Sequence, residues 1–296
     1  MTKEITIGGS SIAAVLGLSR WQSPLKLWAE LTGEIEREDI SDREYVELGT
    51  ELEDFVAKKF ERKTGKKVRR DRRTFTHSEH SYLVAHIDRR IQGTDELLEC
   101  KTCSAWKEKE WEGEEIPLEY ILQIQWYLGI LGMKKGYIAV LIGGQKFRWK
   151  EVEYDAELFD TMVKRAVKFM EMVKNKIPPV AVCGDKDVLG MLYPGGVVEP
   201  IETDDKEIIK LIEERGKLKE EEKTRKERIE FIENTVKQQM KDAELMIADK
   251  YKINWKPVST KRLNEKQLKA ENPELYEKYI YESSYRKFQI YEKKEK

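Results

Sequence analysis

The sequence predicts an α/β fold: a mixed central sheet flanked by helices, then a long helical segment and a small C-terminal α/β module. Short apolar runs bounded by turn residues recur between Val68 and Tyr154, with helical spacing on either side of them. From Asp204 the composition shifts to Lys, Glu and Arg, with apolar residues three and four apart, and strand-like and helix-like stretches return from Tyr251. The 296 residues suffice for a core plus an appendage, and the expected divisions are 1–200, 201–250 and 251–296.

Taken in order, the opening Gly8-Gly9-Ser10-Ser11 turns into an apolar helix over 12–16. Ser41-Asp42-Arg43-Glu44 has capping-box spacing, so the next helix should begin there. Tyr45, Leu48, Leu52, Phe55, Val56 and Phe60 follow at helical spacing, which predicts one buried face ending at Thr64-Gly65. Gly49 inside that helix costs about 1 kcal/mol relative to Ala, so a close approach is expected there. Strands are predicted over 68–76, 82–92 and 97–103, the last two joined by a turn at Gly93-Thr94-Asp95. Pro117 opens a helix through Leu131, with Tyr120, Gln123 and Tyr127 on one face. Strands 137–142 and 146–154 flank Gly143-Gly144, a hairpin signal, and a helix follows over 155–174 until Pro178-Pro179. A long helix or helical hairpin is expected over 204–249, with Ile229, Ile232, Val236 and Met240 on one seam, then strand, helix and strand.

A formal net charge of −1 gives no global sign of nucleic-acid binding, but the sum hides a patch. Residues 58–73 hold ten Lys or Arg against Glu61 and Asp71. Three cysteines, no apolar run of membrane-spanning length and no secretory leader pattern lead to the expectation of a cytoplasmic protein with no membrane partner. Cys100 and Cys103 face opposite sides of a strand, which argues for two small buried residues rather than an iron–sulfur site.

The chemistry is suggested by charge placed in the central strands. Glu99 and Lys101 share one face of their strand, and the turn before it folds Asp88 back to the level of Glu99. Two adjacent carboxylates repel unless a cation sits between them, so the arrangement calls for a divalent metal with oxygen ligands.

Asp88 followed by Glu99-x-Lys101 on the next strand resembles the PD-(D/E)xK nuclease site. The stretches IGGSSIAAVLGLSRWQSPLKLW, ELGTELEDFVAKKFERKTG and YILQIQWYLGILG, in that order, resemble the YqaJ family of phage-type recombination exonucleases, related to lambda exonuclease. The resemblance covers about residues 5–145. It implies a restriction-endonuclease-like core in which Asp88, Glu99 and the Cys100 carbonyl bind Mg²⁺ or Mn²⁺, with Glu53 approaching directly or through water. Lys101 would activate the attacking water or stabilise phosphorane charge, and Tyr120 and Gln123 would face the scissile phosphate. Gln125 is open between a DNA contact and a surface residue, and His86 is a neighbour of the site rather than its base. Ser10 and Ser11 resemble the family's pocket for a 5′-terminal phosphate. The Arg that usually lies upstream is absent; only Lys3 is available there, with Arg20 as a candidate substitute. Lys67, Arg69, Arg70, Arg72 and Arg73 are expected to reach phosphates. Trp21 is open between a wedge at the duplex end and core, while Trp28 is expected in the core.

The implied activity is Mg²⁺-dependent, processive 5′→3′ digestion of linear duplex DNA, leaving 3′ single strands for an annealing protein. Ring-forming homo-oligomers are implied as well. The alternatives are an endonuclease or repair nuclease of the same fold, or a DNA-binding or assembly module with a decayed site.

Overall fold

The computed structural model describes residues 5–196, 199–282 and 285–292. The chain divides into two compact units, Met1–Pro194 and Gly195–Lys296.

The first unit is built on a five-stranded mixed sheet in the order β1 (Val68–Arg70), β4 (Arg89–Ile91), β5 (Glu96–Cys103), β6 (Lys135–Ile142), β7 (Lys146–Glu153). All neighbours are antiparallel except β5 and β6. That parallel pair needs a crossover, which a 3-10 turn over Ala105–Trp111 and α4 (Leu118–Leu131) supply. Strand alternation sends Leu97, Ile138 and Val140 to one face and Leu98, Ala139 and Leu141 to the other. The first face is covered by α1 (Gly9–Val15), α2 (Pro24–Thr32), α4 and α5 (Ala156–Lys174), the second by α3 (Glu44–Thr64) through Val56, Ala57 and Phe60. Gly143 and Gly144, at φ 56° and 71°, turn the β6–β7 hairpin. A short α6 (Lys186–Leu192) ends the unit.

Four expectations need correcting here. The strand over 68–76 is broken into β1 and β2 (Phe75–Thr76), because Asp71 turns its carboxylate onto the Arg73 amide and guanidinium. The strand over 82–92 is likewise broken, into β3 (Val84–Ala85) and β4, with β2 pairing β3. Helix α3 begins at Glu44 with Arg43 as its cap and no side-chain cap bond. The Ser41 amide donates instead to Asp39, a local turn that competes with the capping box. Only Val56, Ala57 and Phe60 of α3 are buried; Tyr45, Leu48 and Phe55 of the expected stripe are exposed.

In the second unit α7 (Lys206–Met240) stops short of the expected end. Lys241 takes a positive φ of 48°, and β8 (Leu245–Ala248) then pairs antiparallel with β9 (Tyr251–Asn254). Two short helices follow, α8 (Glu265–Glu271) and α9 (Pro273–Tyr279); no closing strand is present among the described residues. No helix of the described residues is long and apolar enough to cross a membrane.

Candidate active site

The register of β4 on β5 pairs Arg89 with Leu98, which brings Asp88, in the break between β3 and β4, opposite Glu99. Asp88 Oδ2 accepts the Cys100 amide at 2.8 Å. Glu99 is only 2% exposed. Its Oε1 accepts two bonds, from Lys101 Nζ at 2.7 Å and from Gln123 Nε2 of α4 at 2.8 Å. Gln123 Nε2 also lies 2.9 Å from the Tyr127 hydroxyl. Glu99 Oε2 is buried without a hydrogen-bond partner.

Burial lifts the Glu99 carboxyl to about 8, with the Asp88 charge adding to the shift and Lys101 opposing it. Burial also raises Asp88, against the pull of Lys101 and the Cys100 amide. For the Lys101 ammonium, burial is unfavourable, yet Glu99 and Asp88 outweigh it and hold the group above its usual value. Burial pushes the Cys100 thiol well up, so it is a neutral side chain and only its main chain is offered to the site. An orphaned buried oxygen beside a second destabilised carboxylate is a donor set that fits a hard divalent cation.

Glu53 is engaged by arginines, though its charge adds to the upward shift of both Asp88 and Glu99. Its Oε1 accepts from Arg89 and, at 3.2 Å, from Arg70, and among the described residues no three His, Cys, Asp or Glu side chains gather as a ligand set. Arg89, to which the sequence reading gave no role, is the clamp: it is buried, binds Glu53 and Asp54 on α3, and donates to the Asp88 carbonyl at 2.8 Å. Its signal was a charge directly after Asp88 at a position whose register pairs it with the apolar Leu98.

A cavity of about 810 Å³ is lined by Trp21, Leu48, Gly49, Thr102, Lys107 and Tyr120 among others; neither carboxylate of the pair nor Lys101 lines it, and Tyr120 and Thr102 are its links to the site. Tyr120 lies with its ring 5.2 Å from Lys101 Nζ and stacks on Trp111 at 5.5 Å. The expected close approach at Gly49 is absent: an added Cβ would meet only Thr102 Oγ1, at an ordinary 3.7 Å. Close approach occurs at Gly9, where a Cβ would fall 2.4 Å from the Tyr127 ring, so the start of α1 is pressed against the Tyr127–Gln123–Glu99 chain.

Ser10 and Ser11 occupy the first turn of α1, capped by Gly8 with no side-chain bond, and Ser10 is exposed. Lys3 lies outside the described residues. Arg20 is no ready substitute, because Glu119 and Glu110 both bind its guanidinium in bidentate fashion. In the basic run, Arg70 pairs with Glu53 and Asp54, Arg73 with Asp71, and Lys67 loosely with Glu61 at 3.8 Å. Arg69 and Arg72 are exposed and have no carboxylate partner among the described residues. His86 is bonded to Thr74 at 3.0 Å. Gln125 is a buried strut, donating to the Glu153 carbonyl at 2.7 Å and accepting the Asp155 amide, so it is neither surface nor DNA contact. Trp28 is core and Trp21 is exposed at the cavity.

A family model for the YqaJ-like viral recombinase domain matches residues 2–134. The YqaJ protein of Bacillus subtilis (strain 168) is 39% identical over 298 positions, covering 97% of this chain and 91% of that one. Among solved structures, an alkaline exonuclease from Laribacter hongkongensis superposes with a TM-score of 0.50 at 19% identity, covering 58% of this chain and 89% of that one. A phage-related exonuclease from Haemophilus somnus 129PT gives 0.46 at 14% identity, over 59% and 96% of the two chains. The first superposition places the core in the PD-(D/E)xK fold. With 39% identity to that relative over 97% of its length, and residues 2–134 matched to the domain, the chain belongs to the YqaJ-like viral recombinase family.

Proposed function

We propose that this protein is a metal-dependent deoxyribonuclease that hydrolyses phosphodiester bonds at the ends of linear duplex DNA. The observation that carries the reading is Glu99: a buried carboxylate, one oxygen bonded to Lys101 and Gln123 and the other unpartnered, beside the half-buried carboxylate of Asp88. Asp88 and Glu99, with the Cys100 main chain, would hold Mg²⁺ or Mn²⁺. The chemistry that such an ion supplies is Lewis-acid stabilisation of charge on the phosphate.

The remaining work falls to the chain's own groups. Gln123 fixes the rotamer of Glu99 by occupying Oε1, which leaves Oε2 for the cation. The Cys100 amide orients Asp88 in the same way. Lys101, the cation nearest the carboxylates, orients the attacking water or donates to a phosphate oxygen. Tyr120, between Lys101 and the cavity, faces the scissile phosphate. Arg89 binds the Glu53 carboxylate, and Glu53 would act on the site directly or through water. Arg69 and Arg72 contact backbone phosphates, and Ser10 and Ser11 receive a 5′-terminal phosphate.

In finer terms the reading is processive 5′→3′ digestion that leaves 3′ single strands for an annealing protein, carried out by a ring-forming homo-oligomer. Its test uses linear duplexes labelled separately at each 5′ and 3′ end, with and without Mg²⁺, beside a closed circle. Metal-dependent release of the 5′ label, with the circle untouched, is expected. Cutting of the circle would replace the reading with an endonuclease or repair nuclease, and binding without hydrolysis would leave a DNA-binding module.

A further inference from the structure

The C-terminal unit ends in a segment whose composition differs from the rest of the chain. Residues 251–291 hold eight aromatic side chains in 41 positions, where the whole chain is 9% aromatic, and nine Lys or Arg against five acidic residues. These rings do not build a core. Neither α8 nor α9 buries a residue, and seven of the eight rings expose between 47% and 85% of their surface. Basic side chains lie against several of them: Lys250 over Tyr251 at 5.5 Å, Lys269 over Tyr276 at 5.2 Å, and Lys278 over Tyr279 at 5.5 Å.

Seven exposed rings in a segment rich in Lys and Arg, with cations over Tyr251, Tyr279 and Phe288 among them, match a ligand that carries flat apolar faces and negative charges in alternation. Unpaired nucleic acid has that pattern, since every base offers a face to stack and every linkage a phosphate. A duplex does not, because its base faces are already stacked on one another. We infer that segment 251–291 binds single-stranded DNA, with Trp255, Tyr279, Tyr281 and Tyr285 as stacking platforms and Lys261, Arg262 and Lys287 as phosphate contacts. The inference rests on the nuclease reading only for the source of the strand: the core would produce it and this segment would hold it.

The test uses the full chain in EDTA, where hydrolysis is blocked, and an oligothymidylate of about twenty nucleotides carrying one 5-iodouracil. Ultraviolet crosslinking followed by peptide mapping should find adducts within 251–291. Tyr279→Ala, Tyr281→Ala and Tyr285→Ala combined should remove them and weaken binding at least tenfold by fluorescence anisotropy, while the corresponding Tyr→Phe variant should bind like wild type. Lys261→Gln with Arg262→Gln should lower the salt slope of log K by about one. Crosslinks confined to residues 1–194, or unchanged affinity in the alanine variant, would overturn the inference. If that variant instead lost only a protein partner, the segment would be a protein-docking surface and the inference would again fail. Crosslinks to the segment in a protein that cuts no labelled duplex would uphold the inference and sink the nuclease reading, so the two can fail separately.

Discussion

Glu99 accepts hydrogen bonds on one oxygen only and leaves the other without a partner, so its environment makes sharp demands of any substitute. Glu99→Gln and Asp88→Asn should each abolish cleavage, by a factor on the order of 10³ or more, while DNA retention in a mobility-shift assay persists, because charge at the metal site is lost and phosphate contacts are not. Lys101→Ala should behave likewise, and Lys101→Arg should not restore the rate, because a planar guanidinium replaces a compact ammonium beside Tyr120. Full activity in any carboxylate variant would displace the site. The raised Glu99 pKa adds a pH dependence. Between the ordinary carboxyl value of 4.5 and about 8, the folded metal-free protein keeps a proton that the unfolded chain releases. Stability from this group is therefore highest below 4.5 and falls as pH rises toward 8. Cation binding requires the ionised form, so Mg²⁺ or Mn²⁺ should release about one proton near neutral pH, and affinity should rise up to about tenfold per pH unit before levelling above 8. Calorimetry in buffers of different ionisation enthalpy reads that proton, and Glu99→Gln should remove it.

At the scale of elements, the site is a meeting of three: β5 supplies Glu99 and Lys101, α4 supplies Gln123, and α3 is tied in through Arg89. The start of α1 completes it sterically, because Gly9 is the position where the helix touches Tyr127. Gly9→Ala should strain that contact and cost about 1–3 kcal/mol, read as a lowered Tm. It should also lower kcat more than a distant destabilising change would, because Tyr127 shares Gln123 with Glu99. A normal kcat at a lowered Tm would mean that the Gln123–Tyr127 bond plays no part in orienting Glu99.

For the whole molecule, the two units pose different problems of burial. The first encloses its sheet on both faces. In the second, α7 leaves Ile208, Leu211, Ile229 and Ile232 exposed, and apolar surface of that extent calls for a cover. Ile229→Lys with Ile232→Lys should lower the mass measured by light scattering, or abolish capture of the proposed annealing partner, and leave the metal binding proposed at Asp88 and Glu99 unchanged. Loss of Mg²⁺ binding from a folded double variant would mean that the site extends beyond the first unit.

Local pattern determined much of this protein. Period-two and period-3.6 spacing announced β5, β6, β7, α4 and α5, because those elements bury one or both faces and their sequences must alternate accordingly. Asp88, Glu99 and Lys101 were legible for the opposite reason, as charges where a buried strand has no use for them. Tertiary structure decided what pattern could not express. Asp71 and Asp88 broke the two strands that looked continuous, since a carboxylate bonding the main chain overrides strand propensity. The fate of each Arg depended on carboxylates distant in sequence: Glu119 and Glu110 took Arg20, Glu53 and Asp54 took Arg89, and Arg69 and Arg72 were left exposed. An ion pair between residues distant in sequence has no periodicity, so only the folded chain shows which charges neutralise each other and which stay exposed.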